Sequence, residues 1–144
     1  MKNNIIKLHN REDNSVILVN FDDVVVVDTA FQNDKVFSMI YVEVYRDDMD
    51  HYFEVNETPE KIFAAYPEMA NHFIRVHNRK NNLTVYVKYN VIHIVDTVRC
   101  NEFTSYSQIY MNENSIEPFT VNETPEKIYT MIEEKYKTVP NNEQ

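Results

Sequence analysis

Short apolar runs separated by polar corners dominate this chain, a spacing that predicts a β-rich fold with few helices. Ile5–His9 and 16–19 read as two strands around a polar turn at 10–14, and Asn20-Phe21-Asp22-Asp23 reads as a corner. Residues 24–31 run on as apolar positions without alternation, the mark of a strand covered on both faces. A hairpin of 36–45 and Tyr52–Val55, turning at Asp47-Asp48, completes five strands. A helix follows, with Thr58 as its cap, Pro59 at its first position and Glu60 at its positive end. Ile62, Phe63 and Tyr66 form its inward face, and Pro67 stops or kinks it. The stretch 67–71 reads as a linker.

The same order then recurs. Residues 9–29 align without gaps on 77–97 with eight of twenty-one positions identical, and 53–62 match 119–128 at nine of ten. Two collinear matches of this quality mean duplication. The second copy supplies strands at 73–76, Thr84–Lys88, 91–99, 106–111 and 116–121, its last hairpin turning at 112–115. Its helix is capped by Thr124, Pro125 and Glu126, with Ile128, Met131, Ile132 and Tyr136 inward. The expected class is mainly β (α+β): two tandem βββββα repeats, 1–68 and 69–144, packed as an intrachain pseudo-dimer. A β unit of some 66 residues alone buries a marginal core and leaves strand edges open. Both a strand-paired sandwich and a half-open barrel fit this pattern.

Composition narrows the chemistry. The chain has 144 residues, 43% hydrophobic and 12% aromatic, so it folds despite a net charge of -9. It contains no glycine, where average usage would give about ten. Asn14, Asn33, Asn81, Asn82, Asn112 and Asn114 stand at turns instead, because asparagine tolerates the left-handed region. Without glycine there is no P-loop, dinucleotide-binding turn, kinase glycine loop or nucleophile elbow. Cys100 is the one cysteine, which excludes an intrachain disulfide and a cysteine zinc cluster. No apolar run is long enough to cross a bilayer as a helix, and the first residues lack a secretory signal pattern. A cytoplasmic setting is expected.

The strand order and the segments Ile6-Lys7-Leu8, Leu18-Val19-Asn20 and Val55-Asn56-Glu57-Thr58-Pro59-Glu60-Lys61-Ile62, with their second-copy counterparts, resemble the FlbD-like family of small flagellar regulators. They also resemble small β proteins of phages of Bacteroidetes. That family usually has one copy per chain and an Asn-Gly-type turn in its last hairpin, which this chain lacks. The resemblance implies a small β fold, a binding role and no catalytic residues. Heavy use of Asn, Ile, Lys and Tyr points the same way, to a phage or low-GC bacterial source.

Cys100 with His93 or His77 as base would make a nucleophile; a small apolar side chain at a strand end is the simpler reading. His9 and His77 occupy one place in both copies and are expected to close a strand by hydrogen bonding rather than to hold metal. Asp47, Asp48 and Asp50 read as a solvated hairpin tip, not a calcium loop. Asp28 and Asp96, each before Thr, read as turn caps rather than acid and base. No catalytic, cofactor or metal residue is assigned.

Charge is uneven between the copies. Residues 1–68 carry six Lys/Arg against fourteen Asp/Glu, while 69–144 carry eight against nine. Arg75, Arg79, Lys80, Lys88 and Arg99, with Tyr86 and Tyr89 among them, form the candidate partner or anion-binding face. The expected function is a non-enzymatic interaction or assembly module, phage-encoded and acting in the host cytoplasm or the virion. The acidic copy of one molecule would meet the more basic copy of the next. The rival reading is a binder of single-stranded nucleic acid or an anionic nucleotide through the second copy.

Overall fold

In the computed structural model, residues 4–43, 52–112 and 116–138 are described; the acidic hairpin tip Asp47, Asp48 and Asp50, together with Asn114, lies outside them. The fold is mainly β. Strands β1 (Ile5–His9), β2 (Val16–Asn20), β3 (Val24–Gln32), β4 (Lys35–Val42) and β5 (Tyr52–Val55) precede helices α1 (Pro59–Ala65) and α2 (Pro67–Ala70). The second half continues with β6 (Phe73–His77), β7 (Thr84–Lys88), β8 (Ile92–Arg99), β9 (Ser105–Met111), β10 (Phe119–Val121) and α3 (Pro125–Thr138). All pairings are antiparallel.

Local chemistry explains most boundaries. The Thr58 hydroxyl accepts from the Lys61 amide and Thr124 from that of Lys127, both at 3.3 Å, so both helices start where the cap places them. Asn14, Asn33 and Asn82 have positive φ of 61°, 54° and 62°, and Asp34 follows Asn33 at 62°. Positive φ at both central residues gives the β3–β4 hairpin a turn whose twist matches its strands. The Asn20 side chain accepts from the Asp22 amide and caps the 3₁₀ turn Phe21–Asp23. One expectation fails: 67–71 is no plain linker. Pro67 starts a second short helix, and Met69 is fully buried beneath it. The 68/69 boundary thus falls inside α2.

A five-stranded sheet, ordered β5-β4-β3-β7-β6, joins the halves; a two-stranded sheet β1-β2 and a three-stranded sheet β10-β9-β8 complete the fold. The joint is β3 with β7, in the register Val26↔Val87, Val27↔Tyr86 and Asp28↔Val85. Val24 to Val27 are each 2% exposed or less and divide between two cores. Val24 and Val27 pack with Ile6, Leu8, Ile40 and Ile62, whereas Val25 and Val26 enter a second core with Val85, Val87, Ile109 and Ile128. A bulge between Val24 and Val26 breaks the two-residue alternation that would otherwise prevent this division.

The equivalent strands fare differently. β8 has its bulge at the same place, between Ile92 and Ile94, but pairs only with β9 among the described residues, and β2 pairs only with β1. Ile94, aligned with the fully buried Val26, is 50% exposed.

Candidate interaction surface

Each half is closed by the same latch. The His9 backbone N–H donates to Glu57 Oε1 at 3.0 Å and Nδ1 to Oε2 at 2.6 Å; His77 and Glu123 repeat this at 2.9 and 2.6 Å. A carboxylate can only accept, so Nδ1 carries the proton in both. Asn56 bonds Asn14 at 2.8 Å and Asn122 bonds Asn82 at 2.7 Å, tying the end of the meander to the first turn. Burial pushes the Glu57 carboxyl up, but hydrogen bonds from the His9 side chain and backbone outweigh it and hold it below the ordinary value. This stability is present above the unfolded pKa and is lost as pH falls through the lowered one. The histidines therefore close strands. The glutamates that fix them read from sequence only as part of a helix start; the pairing of two identical segments, His-Asn-Arg and Asn-Glu-Thr-Pro-Glu, was the signal.

Asp28 and Asp96 are not turn caps. Each sits in the middle of its strand, Asp28 opposite Met39 and Asp96 opposite Gln108, because the apolar run continues past them. Asp28 lies at the joint between the halves, its Oδ1 without a hydrogen-bond partner among the described residues. Burial pushes its carboxyl up to about 6. Nearby Tyr41 is pushed to about 12 by burial and then by Asp28. Asp96 is exposed.

The seven residues of the candidate anion face are distributed over different places. Arg75 and Tyr86, cross-strand neighbours, line a groove of about 500 Å³ beneath α3 with Met131, Glu134 and Lys135. The Tyr86 ring lies 4.4 Å from that of Phe63, so part of it is spent on the core. Tyr89 stacks edgewise on Tyr136 at 5.4 Å. Arg79 and Lys80 line a separate depression with Asn78 and Phe119. Arg99 is exposed at the end of β8.

Lys88 points inward. It is 8% exposed, and its Nζ donates to the carbonyls of Asp22 at 2.7 Å and Phe21 at 3.4 Å. Burial pushes its ammonium down, against Asp22, Glu43 and Asp23, which favour its charge. It is a clasp between the halves. Lys88→Met should cost about 1–3 kcal/mol in urea unfolding, since the carbonyls lose a charged donor. A loss under 0.5 kcal/mol would remove the clasp from the account.

Arg79 differs from its counterpart Arg11. Arg11 is paired with Glu54 at 3.0 Å and lies over Phe37 at 3.8 Å. Thr120 stands where Glu54 would be, so Arg79 has no carboxylate partner among the described residues. It lies 4.6 Å over Tyr106 and donates to Asn122 at 3.5 Å and to Cys100 Sγ at 3.3 Å. The exposed Cys100 thus contacts an arginine, not His77 or His93.

Among the described residues no helix is long and apolar enough to cross a membrane, and no three His, Cys, Asp or Glu side chains converge as a metal site. No protein-family model, curated protein or solved structure matches this chain.

Proposed function

We propose that this chain is a non-enzymatic self-association module built from two tandem copies packed as an intrachain pseudo-dimer. One observation carries the reading. A strand of the first copy, β3, is completed by a strand of the second, β7, while β8 and β2, their counterparts, are edges among the described residues, with apolar side chains in solvent. Val16, Leu18 and Ile94 are 54%, 66% and 50% exposed. Open edges of this kind recruit further strands. The charge imbalance favours unlike halves meeting, since two first copies face to face would oppose their acidic surfaces. A phage structural or accessory role in host cytoplasm or virion belongs to the same proposal and rests on the resemblance to small phage proteins and FlbD-like regulators.

Native mass spectrometry of the purified protein tests it: oligomers without added mass are expected. A monomer carrying a nucleotide-sized adduct would point to the second reading, anion or single-stranded nucleic-acid binding, which rests on Arg79, a guanidinium without a carboxylate partner among the described residues. For that reading the decisive variant is Arg79→Glu with Lys80→Glu. Retention on a single-stranded DNA column should be weak and unchanged by it; a marked loss would favour the nucleic-acid reading.

A further inference from the structure

The internal joint specifies a second one. With the halves aligned, β3 corresponds to β8 and β7 to β2, so the pairs Val26↔Val87, Val27↔Tyr86 and Asp28↔Val85 translate to Ile94↔Val19, Val95↔Leu18 and Asp96↔Ile17. In this arrangement β8 of one molecule adds to β2 of the next. The product is a sheet ordered β10-β9-β8-β2-β1, which repeats the order β5-β4-β3-β7-β6 of the internal sheet.

Exposed side chains fall where this requires. At the internal joint, Tyr86 of the second copy packs on Phe63 of the first copy's helix at 4.4 Å, and Phe63 is 9% exposed. The counterparts are Leu18 and Tyr129, each 66% exposed. Val26, completely buried inside, corresponds to the half-exposed Ile94. Val26, Tyr86 and Phe63, covered at the internal joint, thus have exposed apolar counterparts in Ile94, Leu18 and Tyr129, whereas Val19, Ile17 and Val95 are already buried or half-buried within their own halves and His93 replaces Val25. The occupant is a second copy of this chain, because only a β2-type strand carries the matching register and the Leu18 side chain.

We propose that molecules associate head to tail by β8–β2 strand addition in this register, a deepening of the self-association reading on which it rests. The contact joins different surfaces, so it generates a ring if its rotation closes and a filament if it does not. It is weaker than the internal joint. The Lys88 clasp becomes Asn20, and the turn it would grip becomes Tyr89-Asn90-Val91, without the acids Asp22 and Asp23. Association is therefore concentration-dependent.

Two single-edge variants test this in the full chain by sedimentation velocity and native mass spectrometry. Leu18→Glu places a charge on the β2 edge, opposite Lys7 of its own hairpin, which tolerates it. Ile94→Glu does the same on the β8 edge. Each alone should weaken association at least roughly tenfold with unchanged circular dichroism. Mixed in equal amounts they should form a one-to-one dimer that grows no further, because each retains one intact edge and only one junction is free of both charges. An oligomer that neither variant weakens would overturn the edge proposal while leaving self-association standing. A parent protein monomeric up to about 1 mM would overturn both. Should a variant misfold, Leu18→Cys with Val95→Cys in a Cys100→Ser background decides: oxidation must give disulfides between molecules, and their absence, or a disulfide within one molecule, rejects the proposal.

Discussion

Glu123→Ala is expected to destabilise the protein by about 3 kcal/mol, roughly twice the effect of Glu57→Ala. Both carboxylates accept the backbone and ring N–H groups of a histidine, but the Glu123 side chain is 6% exposed and that of Glu57 is 23%. Deleting Glu123 leaves two N–H donors in a site water reaches poorly, whereas water can take over part of the work of Glu57. Urea denaturation of the two variants measures the difference. Glu123→Gln should recover part of the loss, since one amide oxygen still accepts the His77 backbone N–H. Equal losses below about 0.5 kcal/mol would mean that the latch contributes little and that the cores alone hold the hairpins.

The second large effect runs the other way: Asp28→Asn should stabilise the protein near neutral pH. Burial raises the carboxyl from 3.8 to about 6, so the folded state binds this proton more tightly than the unfolded chain. The corresponding stability is complete below about 3.8, is lost as pH rises through about 6, and stays lost above it. Two pKa units set a ceiling near 3 kcal/mol, from which the cost of burying an amide in the same place is subtracted. The gap between variant and parent should widen by about 2 kcal/mol from pH 4 to pH 8, measured as urea midpoints at each pH. A gap independent of pH would show that Asp28 is ionised in the folded protein with ordinary ease.

Much of the architecture follows from short-range pattern. The bounds of β1 and β7 are those read from apolar spacing, and both helix starts follow from the Thr-Pro-Glu cap. Asn14, Asn33 and Asn82 take the left-handed turns that a chain without glycine must assign to another residue. The features that were not legible, α2 apart, depend on distant partners. Helix α2 was hidden because Pro67, which stops one helix, also suits the first position of another. The carboxylates that latch His9 and His77 come from 48 and 46 residues along the chain. Lys88 reads as one of several basic residues until the fold places the Phe21–Asp23 turn beside its ammonium.

The duplication is written in the sequence itself, and the β class, the turns and the helix caps are determined by it because each of these depends on neighbours a few residues apart. Which copy is covered is decided by the tertiary structure. Val27-Asp28-Thr29 and Val95-Asp96-Thr97 are the same three residues in the same kind of strand. Val27 and Thr29 are buried and Asp28 half-buried at the joint, whereas Asp96 and Thr97 are exposed on an open edge. The triplet alone cannot distinguish them, although His93 in place of Val25 and Arg99 in place of Phe31 already make the second strand more polar; the difference arises because a single β3–β7 joint covers one of two equivalent edges and leaves the other to solvent.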